Sequence, residues 1–173
     1  MAQIKLAEYT FDNSVGDTVL YITPTTIVGV NEDVVNGNIT TRTVYIDDST
    51  MPTALSFGKS NTRNNSLLTV EYLNIDSNIT TLNMCFYRCS TLQRINTSNW
   101  NTSNITNFTR FCDECNSLVE IDVSHFNVRK ANGSFYKMFN GVKAEVLDVS
   151  KWNVDTTDGS LNGMFSSCPN VKK

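Results

Sequence analysis

LQRINTSNWNTSNITNFTRFCDECNS, residues 92–117, decides the fold, because the segments on either side can be laid over it column by column. Leu67, Leu92, Leu118 and Ala144 form the first column, and Val70, Ile95, Ile121 and Leu147 follow three residues later. Glu71, Asn96, Asp122 and Asp148 come next. A bulky residue then recurs at Ile75, Trp100, Phe126 and Trp152. The step between units is 25, then 26, then 26 residues. Self-similarity at a fixed period of this size marks a chain built from stacked units.

Each unit continues with apolar residues at steps of three and four. They are Ile79, Leu82, Cys85 and Phe86, then Ile105, Phe108, Phe111 and Cys112. Displaced by one residue, the series goes on with Phe135, Met138 and Phe139, then Leu161, Met164 and Phe165. Such spacing is one face of a helical turn. The polar segments before it (NTSN, NVRKANG and NVDTTDG) can supply N-caps. The pattern predicts an α/β solenoid of leucine-rich-repeat kind over residues 61–173, with about four units, each a short strand, a polar turn and a short helix. Ordering a single unit costs more backbone entropy than its own inward side chains return, so units must stack to be stable.

Residues 1–60 read as a small, mostly-β region that caps or attaches the array. Strand candidates are 3–11 (QIKLAEYTF), 17–22 (DTVLYI), 25–30 (TTIVGV) and 54–57 (ALSF). In the first, Ile4 and Leu6 fall on one face and Ala7, Tyr9 and Phe11 on the other. Asn36-Gly37, between Val34-Val35 and ITTRTVYI, signals a hairpin. Asp12, Asp17, Asp47 and Asp48 lack the spacing of a calcium loop and read as turn carboxylates.

Composition narrows the function. Forty per cent hydrophobic residues is ordinary for a folded domain. A net charge of −3 without clustered Lys and Arg predicts no nucleic-acid partner and no anionic membrane surface. No apolar run is long enough to span a bilayer, and the first residues lack the apolar core of an export signal, so synthesis in a cytoplasm is expected. Five cysteines, an odd number, argue against a full disulfide framework. The many Asn, Ser and Thr residues, which make eight N-x-S/T sequons, read as turn formers.

CSTLQRINTSNWNTSNITNFTRFCDECNSLVEIDVSHF, residues 89–126, and LDVSKWNVDTTDGSLNGMFSSC, residues 147–168, resemble the BspA-type leucine-rich repeats of bacterial surface proteins. The match covers residues 66–171 and leaves out the first sixty. Cys85 and Cys112 replace apolar residues, and the third unit lacks the cysteine near Val142. The resemblance implies a surface-presented, non-enzymatic binding or structural protein. Repeats of this type also occur in virion-associated phage proteins. Absence of an export signal makes a phage tail or virion protein, released by lysis and recognising a host surface, the first expectation. A truncated bacterial adhesin is the alternative. The expected partners are a protein or glycan on a bacterial cell, or other virion proteins. The repeats stop at MFSSCPNVKK, where a next strand would begin, which is compatible with a homo-oligomer joined through that end.

No catalytic residue, metal ligand or cofactor is expected. Cys85, Cys89, Cys112 and Cys115 have zinc-like spacing, but Cys89, Cys115 and Cys168 share one repeat column and read as a packed ladder. His125, the single histidine, has no nucleophile at a recognisable spacing. Trp100, Phe126 and Trp152 read as packing between units rather than as a sugar platform. Alternation along the strand sends Leu92, Ile95 and Thr97 inward and leaves a polar stripe outside. That stripe, Glu71, Gln93, Arg94, Asn96, Glu120, Asp122 and Asp148, joined by Glu145, is the expected binding site. A glycan-active enzyme using these carboxylates is the competing expectation.

Overall fold

A computed structural model describes residues 2–27, 29–58, 62–131, 134–154 and 161–171. It has eight strands. They are β1 (Gln3–Asp12), β2 (Tyr21–Thr23), β3 (Val30–Asn36), β4 (Ile39–Asp47), β5 (Ala54–Ser56), β6 (Leu67–Leu73), β7 (Arg94–Ile95) and β8 (Glu120–Ile121). Six form one mixed sheet in the order β3-β4-β1-β6-β7-β8, and β2 pairs with β5. The expected α/β solenoid is not observed, since no described residue is helical.

Residues 79–92 show why the helical spacing misled. Cys85, Tyr87 and Cys89 N–H groups donate three residues back, to Leu82, Met84 and Phe86, each at 3.1 Å. The alternating N–H groups leave the unit altogether. Those of Leu82, Met84, Phe86 and Arg88 donate to Asn107, Thr109, Phe111 and Asp113 of the next unit at 2.8–3.0 Å. A helix would spend every one of these donors four residues back. The chain instead makes consecutive tight turns, with left-handed residues at Met84 (φ 56) and Arg88 (φ 61). These recur at Arg110 and Glu114, Lys137 and Gly141, and Gly163 and Ser167. Turns repeating every three to four residues bury the same positions a helix would. Ile79, Leu82, Cys85, Phe86, Ile105, Phe108, Phe111, Cys112, Phe135, Met138 and Phe139 are all fully buried, whereas in the last described unit Met164 is buried but Leu161 and Phe165 of the same series are exposed.

The strand column is real but short. β6 pairs parallel with β7 through Thr69–Arg94 and Val70–Ile95, and β7 with β8 through Arg94–Glu120 and Ile95–Ile121. Residues 144–148 continue the column without strand geometry. Asn, Ser and Thr side chains hold successive units together. Thr97 Oγ1 donates to the Asp122 carbonyl at 2.6 Å, Asn99 Nδ2 to Leu73 at 3.0 Å and Thr106 Oγ1 to Thr80 at 3.0 Å. The aromatic column stacks, with Trp100 to Phe126 at 5.8 Å and Phe126 to Trp152 at 6.2 Å.

The N-terminal strands are part of the same sheet. β1 lies antiparallel between β4 and β6, so the first region and the repeats share a ladder. A register shift between Lys5 and Ala7 lets Leu6 and Ala7 both face the core, which simple alternation would forbid. Phe57 and Gly58 N–H groups donate to the Cys85 carbonyl, and Asn64 N–H to the Arg88 carbonyl, on the first unit. The second strand is shorter than expected, because Val19 and Leu20 precede it without pairing and Pro24 ends it. The candidate at 25–30 forms a turn, Ile27 N–H to Pro24 carbonyl, before β3 begins at Val30. Expected caps in NVRKANG and NVDTTDG fall partly on 132–133 and 155–160. Those residues, part of the 25–30 candidate, and the terminal lysines lie outside the described residues.

Candidate functional site

The outer face of β6, β7 and β8 forms a groove of about 720 Å³. Glu71, Arg94, Asn96, Glu120 and Asp122 line it together with Glu145. The parallel register puts Glu71, Asn96 and Asp122 in one row and Arg94 and Glu120 in the other. Five of the seven expected site residues are thus brought together. Gln93 and Asp148 are exposed but do not line the groove. Gln93 contributes backbone instead, its carbonyl accepting from Val119 at 3.0 Å and Glu120 at 3.2 Å.

Two exposed apolar residues also line it, Val119 and Val146, at 57% and 64% exposure. Sequence reasoning missed both, although column logic holds a signal. Val146 stands one residue before Leu147, as Arg94 does before Ile95 and Glu120 before Ile121, so it belongs to the outward set. Val119 shares its column with Gln93, one residue past the inward leucine.

The charges are partly committed. Arg94 Nη2 bonds to Glu71 Oε1. Glu71 also accepts from Thr69 Oγ1 at 2.7 Å, and Thr69 meets Thr10 of β1 at 2.8 Å. Partial burial pushes the Glu71 carboxyl up, but bonds from Thr69 and Arg94 outweigh it and hold it below its ordinary value. Arg94 is raised by the same hydrogen bond and charge. Asn96, Asp122 and Asp148 each accept, through one side-chain oxygen, the N–H two residues on. The distances are 3.1 Å from Ser98, 2.9 Å from Ser124 and 2.9 Å from Ser150. These bonds hold the Asp122 and Asp148 carboxyls below their ordinary range. Half of each acidic head is therefore a turn former, and the other half faces out.

His125 sits beside the groove. Its Nε2 lies 3.0 Å from the Thr97 carbonyl and its Nδ1 3.9 Å from Asp122 Oδ2. Cys85, Cys89, Cys112 and Cys115 are fully buried and free, and burial pushes the Cys85, Cys89 and Cys112 thiols up. Cys115 Sγ donates to the Phe86 carbonyl at 2.9 Å, and Cys168 Sγ to the Phe139 carbonyl at 2.9 Å. The ladder of thiols thus bridges units by hydrogen bonds. Among the described residues, no group of three or more His, Cys, Asp or Glu is arranged to hold a metal ion. Two aspartates of the first region serve the backbone, Asp12 accepting from Ser14 N–H and Asp47 from Ser49 N–H, each at 2.9 Å, and Asp17 accepts from Arg42 Nη1 at 2.7 Å.

A family described as "Mycoplasma protein of unknown function, DUF285" matches residues 55–173, the repeats together with the segment that covers their first unit. That family is related to the BspA-like surface repeat proteins. No curated protein and no solved structure matches the chain.

Proposed function

The chain belongs to the DUF285 family, and on that footing we propose that it is a non-enzymatic binding module that presents the β6-β7-β8 groove to a protein or glycan at a cell surface. One observation carries this reading. Charged, amide and apolar side chains from successive units converge on one open groove, and Glu71–Arg94 is a preset polar pair within it. Mixed linings of this kind suit recognition, with apolar contact for affinity and polar groups for orientation. Of the two settings expected from the sequence, a phage particle and a bacterial surface, the family relationship supports the second.

Electrostatics favour binding over glycoside hydrolysis. A glycosidase acid is a carboxyl kept protonated by its surroundings. Glu71 and Asp122, two of the carboxyls that line the groove, are shifted the other way. The test is binding of the labelled full chain to whole bacterial cells and to a glycan array. Asp122→Asn keeps the turn bond, as Asn96 shows in the same column, and removes the charge. Arg94→Ala removes the preset pair. Together they are expected to weaken binding at least about tenfold with an unchanged melting curve. Undiminished binding, or release of sugars from cell-wall glycan by the unmodified chain, would sink the reading.

A further inference from the structure

We propose that the outer edge of β3 is a strand-addition site for an extended segment of another protein, carrying a Lys or Arg between two apolar residues. Among the described residues β3 ends the sheet and is paired only with β4. All seven of its residues are exposed, with Val30 at 50%, Val34 at 70% and Val35 at 64%. An edge of this kind is commonly blunted by a bulge, a proline or charged side chains, lysine above all, and the charges here are the acids Glu32 and Asp33, which repel an acidic strand and admit a basic one. β3 has no Pro or Lys, and its ladder with β4 runs without the register shifts seen on both sides of β1.

The hairpin fixes which backbone groups are on offer. Its two-residue turn is Gly37-Asn38, with Gly37 at φ 61, so Asn36 and Ile39 form the closing pair. Antiparallel pairs alternate between bonded and non-bonded from that point. Asn31, Asp33 and Val35 therefore turn their N–H and C=O groups away from β4. Side chains alternate too, so Val30, Glu32 and Val34 share one face. Asp33, on the other face, is already met by Arg42 through two bonds of 2.7 and 2.6 Å. Among the described residues the Glu32 side chain has no hydrogen-bond or ion-pair partner.

Charge selects the occupant. A second copy laid antiparallel would place Asp33 against Asp33 at full overlap, or Glu32 against Glu32 with the register shifted by two, and opposed like charges destabilise a pair. A foreign strand of pattern apolar-x-Lys/Arg-x-apolar sets its cation against Glu32 and its apolar residues against Val30 and Val34. The groove lies at the other end of the sheet, on β7 and β8, so a partner on β3 leaves it open.

Fluorescence anisotropy of the full chain with labelled TVTKTVT and TVTETVT peptides tests this. The Lys peptide is expected to bind at least about tenfold tighter than the Glu peptide, with the difference shrinking as salt rises. Asn31, Asp33 and Val35 amides should gain hydrogen-exchange protection on binding. Glu32→Lys should reverse the preference. Val35→Pro should abolish binding, because it removes an outward N–H and no bond to β4; far-UV circular dichroism checks that both variants stay folded. Failure of the Lys peptide to bind, equal binding of both peptides, protection confined to other strands, or a dimer that Glu32→Lys disrupts would each overturn the proposal.

Discussion

Trp100 and Trp152 occupy one repeat column but not one environment. Trp152 Nε1 donates to the Val123 carbonyl at 2.9 Å, whereas Trp100 Nε1 is buried with no partner among the described residues. The difference traces to the first unit. Its equivalent of Val123 is Tyr72, which is still strand and pairs with Glu8 of β1. An unpaired buried donor costs roughly 1–3 kcal/mol. Phe126 shows that a phenyl ring fits this column, between the two tryptophans. Trp100→Phe is therefore expected to destabilise by less than about 1 kcal/mol, since losing the orphan donor offsets the lost volume. Trp152→Phe should cost more although Trp152 is less buried; denaturant unfolding of the two variants checks the order. The column itself was legible in the sequence. Which tryptophan is satisfied was not, because that depends on where β6 ends.

Each unit's apolar half is held by left-handed residues at two positions four apart, and this is where sequence and structure part. Glycine stands at two such positions, Gly141 and Gly163. The others are Met84, Arg88, Arg110, Glu114, Lys137 and Ser167, which give no warning of φ above zero. A side chain pays roughly 1–2 kcal/mol for that conformation and a β-branched one pays more. Lys137 (φ 51) makes a clean test, since its N–H reaches Asn162 at 3.1 Å whatever the side chain. Lys137→Gly should leave stability within about 1 kcal/mol or raise it, while Lys137→Val should lower it by about 1–3 kcal/mol. In a helix the order would be reversed, with Gly the worse residue. Gly141 is the stricter site, where an added Cβ would lie 2.6 Å from Asn116 Oδ1.

At the scale of the whole molecule, one sheet runs from the β3 edge through β1 and β6 into the repeats. β6, the first repeat strand, has β1 on one side and β7 on the other. Phe57 and Tyr9 pack at 4.7 Å, and Phe57 stacks on Phe86 at 5.7 Å, so the core is continuous across the same boundary. A chain starting at residue 61 would uncover both the β6 edge and the first unit. It is expected to lose its cooperative melt and its dispersed amide spectrum; retention of both would show that the repeats fold alone. What the sequence by itself determined was period, phase and burial. Side chains repeating every 25 or 26 residues must stack, and apolar columns face the interior wherever neighbouring units cover them, as they do for all but Leu161 and Phe165 of the last described unit. What only the tertiary structure decided was the backbone between those columns. Apolar steps of three and four fit a helix and a run of tight turns equally well, and the choice rests on where alternating N–H groups go. Here a neighbouring unit offers carbonyls 25 or 26 residues away at about 2.9 Å, and this ladder replaces the helix. The groove depends on the same choice, because the parallel register sets Glu71, Asn96 and Asp122 side by side and brings Val119 and Val146 in among them.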